Sequence, residues 1–218
     1  MAFLKDPDRK QVSEMLANSM SGEVNLFVFY EANDAKCQYC GATVSMMKEV
    51  ASLDKRIKLT LYDISKNQKE ARFLHVDKVP AVVIGNDKRI FDVLYFGIPA
   101  GYEFSSLLED IVDASNNATR LSEETKNKLK FITKPVDIKV FVTPTCPYCP
   151  KAVRIAHQFA MESKLIRASM IEAQEFMEMS QQYNVMGVPR TVINDTIPLE
   201  GAYPEEAVLQ HVLKVGSE

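Results

Sequence analysis

The chain contains no run of about 18 apolar residues, so no segment reads as a membrane-spanning helix. Its first residues, Met1-Ala2-Phe3-Leu4-Lys5-Asp6-Pro7-Asp8, lack the apolar core of a secretory signal, and a cytoplasmic protein is expected. Blocks of like charge are also missing. The 26 Lys and Arg against 29 Asp and Glu leave a net charge of −3, with no basic patch to hold nucleic acid. The three histidines, His75, His157 and His211, are too scattered to suggest a ligand pair, so no metal is expected from them, and His157 reads as structural. No cofactor is expected either. Cysteine is scarce, at four residues, and in a reducing compartment that argues for catalysis, redox sensing or metal binding rather than structural bridges.

What is present is ordinary globular composition, 46% hydrophobic and 25% charged, in 218 residues, enough for one large domain or two small ones. All four cysteines fall in two Cys-x-x-Cys pairs. Cys37-Gln38-Tyr39-Cys40 and Cys146-Pro147-Tyr148-Cys149 share a Tyr in the same slot and stand 109 residues apart. Val79-Pro80 and Val188-Pro189 repeat at that offset, so each Pro follows its first Cys by 43 residues. A matching Val-Pro at a matching distance points to duplication of a small domain.

The flanking patterns repeat too. Asp6 as an N-cap with Pro7 at the first helical position opens one helix, and Ser122-Glu123-Glu124 opens a comparable one. Strands follow at residues 26–30 and 138–143, then a helix after each Cys pair, then alternating strands around Ile57 and Ile166. Polar helices at residues 66–75 and 173–183 lead to each Val-Pro. Hairpins are expected beyond them, turning at Gly85-Asn86-Asp87 and Asn194-Asp195, and helices at residues 103–114 and 204–215 close the halves. The order α-β-α-β-α-β-β-α predicts an α/β fold, each half a mixed four-stranded sheet flanked by helices with an extra N-terminal helix. The polar stretch Ser115-Asn116-Asn117-Ala118-Thr119 sets the boundary, giving units 1–117 and 118–218. The ten methionines, Met46-Met47 and Met177 with Met179 among them, read as core filler.

A strand, a Cys-x-x-Cys at a helix start and a Val-Pro before a hairpin together resemble the thioredoxin superfamily. Cys146-Pro147-Tyr148-Cys149 is similar to the glutaredoxin active-site sequence. Two such tandem thioredoxin-like units resemble the protein disulfide oxidoreductases of thermophilic archaea and bacteria over nearly the whole chain. The resemblance implies that Cys37 and Cys146 are the attacking thiols, Cys40 and Cys149 the resolving ones, and Pro80 and Pro189 cis-prolines facing them. It also implies protein disulfides or dithiols as substrates and a thioredoxin reductase as electron donor.

The residue types suit that chemistry. Exchange proceeds by thiolate attack, and a helix N-terminus favours the thiolate. The two-residue spacer lets the second Cys reach and resolve the mixed disulfide, and Pro147 restrains the helix start. A cis-Pro would let Val79 or Val188 pair with an extended substrate strand, with Tyr39 and Tyr148 completing the docking surface. Glu31 is a candidate proton acceptor for Cys40 if it faces inward, although a solvated Glu is the commoner state. Val140 stands at that place in the second half, and Lys36, Lys151 and Arg154 would add positive potential near the thiols.

Three other readings stay open at this level. A structural zinc site using all four cysteines is disfavoured by the 105 residues between the pairs. A binding scaffold with structural disulfides is the second, and a glutathione-dependent glutaredoxin or peroxiredoxin reductase the third. Glutaredoxins carry Gly-Gly where this chain has Gly201-Ala202, which counts against glutathione.

Overall fold

The computed structural model describes residues 3–33 and 35–217. The first half runs α1 (Asp6–Ser19), β1 (Val24–Tyr30), α2 (Cys40–Leu53), β2 (Ile57–Asp63), α3 (Gln68–Phe73), β3 (Ala81–Asn86), β4 (Ile90–Phe96) and α4 (Glu103–Asn116). The second runs α5 (Glu123–Leu129), β5 (Val136–Val142), α6 (Cys149–Glu162), β6 (Ile166–Glu172), α7 (Met177–Gln182), β7 (Arg190–Ile193), β8 (Ile197–Glu200) and α8 (Glu205–Gly216).

Local chemistry explains several boundaries and corrects others. Ser122 caps α5, its Oγ accepting the Thr125 N–H at 3.1 Å. Asp6 is not a cap: Lys5 holds the extended cap conformation, and Asp6 is already helical with Pro7 in the first turn. The two polar helices are shorter than their patterns, since α3 and α7 each span only 6 residues. The first hairpin turns later than expected, with Gly85 and Asn86 inside β3. Asn86 Oδ1 accepts both the Lys88 and Arg89 N–H groups at 2.9 Å, which moves the turn to residues 87–89. In the second hairpin Asn194 and Asp195 take the left-handed backbone the tight turn needs, at φ 46° and 59°.

Each half builds a mixed four-stranded sheet. β1 pairs parallel with β2 and antiparallel with β3, which pairs with β4. β5 repeats this with β6, β7 and β8. The halves then join, because β4 pairs parallel with β6 from Val93 opposite Ala168 to Phe96 opposite Ile171. The result is one eight-stranded sheet in the order β2-β1-β3-β4-β6-β5-β7-β8. Strands β1, β2, β4, β5, β6 and β8 therefore run the same way, with β3 and β7 opposed, and both Cys pairs sit beyond the same end of the sheet.

Side chains alternate between two cores. Leu26 and Val28 point to the face that packs Met46, Met47, Leu107, Ile111, Val153 and Phe159. Phe29, Val83, Leu94 and Phe141 point to the other, against Ala71, Leu74 and Phe176. Met46 and Met47 fill the core, but Met177 is 65% exposed and Met186 92%, so methionine is not uniformly interior here.

Helices α4 and α6 come from different halves and pack side by side, with a polar cluster between them. Asp110 and His157 are fully buried, and the His157 Nδ1 lies 2.6 Å from Asp110 Oδ2. The Tyr95 hydroxyl donates to the same carboxylate, and Arg154 forms ion pairs with Asp110, Asp113 and Glu109. Burial, helped by the Arg154 charge, pushes the imidazole down to about 3, so His157 is neutral at ordinary pH. The same burial raises the Tyr95 phenol. Arg154 thus serves the joint between the halves rather than the potential around the thiols.

Candidate active site

Both Cys pairs are closed as disulfides, with Cα–Cα distances of 5.4 Å for Cys37–Cys40 and 5.5 Å for Cys146–Cys149. The four sulfurs therefore form two separate pairs. Each second cysteine is the first residue of its helix, α2 or α6, and each first cysteine lies one short turn before it. The positive dipole end of each helix thus lies at its Cys pair. Cys37 and Cys146 keep 6% and 7% exposure, whereas Cys40 and Cys149 fall to 1% and 0%. The first cysteine of each pair is thus the more exposed of the two.

The two pairs differ in their hydrogen bonds. In the second, the Cys149 N–H points at Cys146 Sγ at 3.1 Å. In the first, the Cys40 N–H goes to the Cys37 carbonyl at 3.4 Å, and Cys40 Sγ instead receives the Glu31 N–H at 3.2 Å. Thus Glu31 reaches the site through its main chain. Its carboxylate turns to the loop and accepts the Asn33 N–H at 3.1 Å. Pro147 lies just outside α6, and the proline in the first helical turn is Pro150.

The Val79–Pro80 and Val188–Pro189 bonds are cis. Both prolines are buried and both valines half-buried, and Val188 packs against the cluster that holds Cys146 and Cys149. The carbonyls of Pro80 and Pro189 accept N–H groups from Gly97 and Gly201 at 2.9 and 2.8 Å. The main-chain groups of Val79 and Val188 enter no backbone hydrogen bond among the described residues. An unpaired N–H and C=O therefore stand at the residue before each of these prolines. Tyr39 and Tyr148 are 39% and 70% exposed, the second-site ring standing further into solvent.

One titratable group beside the second site escaped the sequence reading. Glu103 opens α4 and is buried to 1% exposure. The preceding residues lie against the other half: the Tyr102 N–H donates to the Pro144 carbonyl at 3.0 Å, two residues before Cys146. Gly101, at φ +62°, permits this approach, since a Cβ there would collide with the Pro144 carbonyl oxygen. Ser106 Oγ donates to Glu103 Oε2 at 2.7 Å, while Oε1 is buried with no partner. Desolvation pushes this carboxyl up to about 7, only partly opposed by Ser106. In sequence it is one more acid in a first helical turn, and nothing local marks it as buried.

The thioredoxin-domain family model matches residues 136–214. Over 97% of its length the chain superposes on a protein disulfide oxidoreductase from Aeropyrum pernix, covering 93% of that chain with a TM-score of 0.90 and 30% identity. The NTD_N/C domain of alkylhydroperoxide reductase AhpF from Enterococcus faecalis has the same fold, with a TM-score of 0.88 at 23% identity over 96% of this chain and 99% of that one. The F subunit of alkyl hydroperoxide reductase from Staphylococcus aureus (strain N315) is 26% identical over 187 residues, 86% of this chain. The chain spans about a third of the length of such curated relatives, 33% in that case.

Proposed function

The chain belongs to the protein disulfide oxidoreductase family, by its 30% identity to the Aeropyrum protein along nearly the full length of both, and we propose that each of its two thiol pairs exchanges disulfides with polypeptide substrates through a mixed disulfide. The observation that carries this reading is a repeated arrangement: a disulfide at a helix start, a buried proline at the same distance along the chain, and an unpaired main chain at the preceding valine.

In the reducing direction the Cys146 thiolate attacks one sulfur of a substrate disulfide. That S–S bond breaks, its other sulfur leaves as a thiolate, and a Cys146–substrate disulfide forms. Cys149 then gives up its proton and attacks Cys146 Sγ, closing the enzyme disulfide and releasing the second substrate thiolate. The substrate gains two electrons, the enzyme pair loses two, and the substrate thiolates take up protons. Cys37 and Cys40 act in the same order, residues 1–117 and 118–218 being the two exchange units. An extended substrate would pair with the free main chain of Val79 or Val188, beside Pro80 or Pro189, with Tyr39 or Tyr148 flanking it. Run backwards, the same steps donate disulfides. Electrons would enter from a dithiol donor such as a reductase of the thioredoxin reductase class.

Dithiothreitol-driven insulin reduction and refolding of scrambled ribonuclease test the reading. The full chain should accelerate the first, and a variant with serine at all four cysteines should not. Equal rates for both proteins would overturn it. Refolding above that variant's level would add isomerase activity. A second reading, a peroxiredoxin reductase, is favoured by the match to the F subunit of alkyl hydroperoxide reductase. Transfer of electrons from the reduced chain to a peroxiredoxin disulfide would distinguish it.

We assign Glu103 the proton released by Cys149. Its folded-state carboxyl, near 7, lies above the unfolded value, so the folded state binds this proton more tightly. The resulting destabilisation is absent below about pH 4, grows as pH rises toward 7 and is constant above it. Glu103→Gln should therefore be the more stable protein above pH 7, by at most about 3 kcal/mol, with the gap closing toward pH 4. Second-site exchange in this variant should slow at pH 7 and lose an apparent pKa near 7. Urea unfolding across pH, with rate profiles in a Cys37→Ser background, checks both. An unchanged rate profile would leave Glu103 only a structural burden.

A further inference from the structure

The two reactive sulfurs are framed by loops of opposite character. Before the first buried proline the chain reads Asp77-Lys78-Val79, and before the second Met186-Gly187-Val188. Asp77 and Lys78 form an ion pair, and the Lys78 ammonium lies 4.2 Å from the centre of the Phe96 ring. The residue directly before Val79 thus carries a charge, held between Asp77 and the Phe96 ring. At the second site Gly187 takes the place of Lys78, and no heavy atom lies within 4 Å of where its Cβ would stand. That surface is open. Met186 replaces Asp77 and is 92% exposed, with Tyr148 of the same site 70% exposed. A thioether and a phenol ring left in water at one site have not satisfied their apolar surface within the chain.

Resting on the proposed disulfide exchange, we propose that Met186 and Gly187 make the second site selective for extended polypeptide segments carrying an uncharged aliphatic or aromatic residue beside the cysteine. The surface is continuous with the covalent site, because Val188 follows directly and packs against the cluster that contains Cys146 and Cys149. Main-chain pairing at Val188 is indifferent to sequence, so discrimination must come from the adjacent side chains. Methionine, unbranched and polarizable, moulds to varied apolar partners. The absent side chain at Gly187 lets a substrate backbone come close. At the first site the same substrate residue would meet Asp77 and Lys78 and would have to desolvate them.

The test uses the full chain with one pair silenced, Cys37→Ser/Cys40→Ser or Cys146→Ser/Cys149→Ser, and disulfide peptides differing only in a Leu, Glu or Lys beside the cysteine. With the second pair active, kcat/KM should favour the Leu peptide over both charged ones by about fivefold, the effect of covering part of one aliphatic side chain. With the first pair active that preference should vanish. Met186→Asp/Gly187→Lys should bring the second-site ratio to near unity, and Asp77→Met/Lys78→Gly should create a Leu preference at the first site. Because each readout is a ratio within one protein, a general loss of activity does not mimic it. Equal preferences at both sites, or a ratio unmoved by Met186→Asp/Gly187→Lys, would overturn the proposal. If no peptide disulfide is reduced by either single-pair protein while a small aromatic disulfide is, polypeptide exchange itself fails, and the selectivity falls with it.

Discussion

Cys146→Ser should lower dithiothreitol-driven insulin reduction by about tenfold or more, and Cys37→Ser by less than about twofold. Serine cannot act as the exchanging thiolate, so each variant silences one site, by at least about a thousandfold there. The asymmetry comes from the remaining site. Cys146 Sγ is the sulfur that receives a main-chain N–H, from Cys149, whereas at the first site the Glu31 N–H is directed to the second cysteine, Cys40. A hydrogen bond to a charged acceptor is worth about 1.5–3 kcal/mol, and at the second site it falls on the first sulfur of the pair, where it would stabilise a thiolate. The gain in attack rate from that contact is modest, because a stabilised thiolate is a weaker nucleophile. Its larger effect is on Cys146 as leaving group when Cys149 resolves the mixed disulfide. The more open Tyr148 surface adds access. Iodoacetamide alkylation against pH in each single-pair protein measures the thiol directly. A larger loss from Cys37→Ser, or a Cys37 thiol more acidic than that of Cys146, would reverse the assignment.

Arg154→Met should cost about 3–5 kcal/mol of unfolding free energy, the penalty of leaving a buried charge without its partner. The guanidinium bridges Asp110 and Asp113, both nearly inaccessible, and faces neutral His157 and the Tyr95 hydroxyl. Without it, Asp110 keeps only neutral partners. For a chain of this size the loss corresponds to roughly 10 °C in melting temperature. Adding Asp110→Asn and Asp113→Asn to Arg154→Met should recover most of it, since the cost lies in the stranded charges rather than in the missing contact. Urea titrations of the single and triple variants decide the matter. A change below about 1 kcal/mol for Arg154→Met would mean that water reaches the cluster and screens it.

The duplicated chemistry could be read from the chain because it is local. Cys37-x-x-Cys40 and Cys146-x-x-Cys149 each occupy one turn, and the distance to Val79-Pro80 and Val188-Pro189 is a count along the sequence. The element order followed from periodicity in the same way. What escaped depends on packing between the halves. β4 and β6 are buried on both faces, so no alternation marks which neighbour each takes. Asp110 and Asp113 look like the polar face of a surface helix until α6 covers them, Glu103 gives no local sign of its burial, and Arg154 likewise reads as a solvated cation near the thiols. Gly85-Asn86 carries strong turn chemistry, yet the pairing of β3 with β1 continues through it to Asn86 opposite Val24, and Asn86 uses its side chain to form the turn one step later.

The seam between β4 and β6 has a consequence for how the molecule comes apart. Two separate units would present four bare strand edges to the surroundings; joined, they present two, at β2 and β8. Separating the halves after a nick at Asn117 would return the other two, each on a strand that is buried on both faces in the joined sheet. Such halves would be sticky: they would find each other, or fibrillate, before they drifted apart. Duplication has left this chain two workshops under one roof beam, and neither keeps standing as well alone.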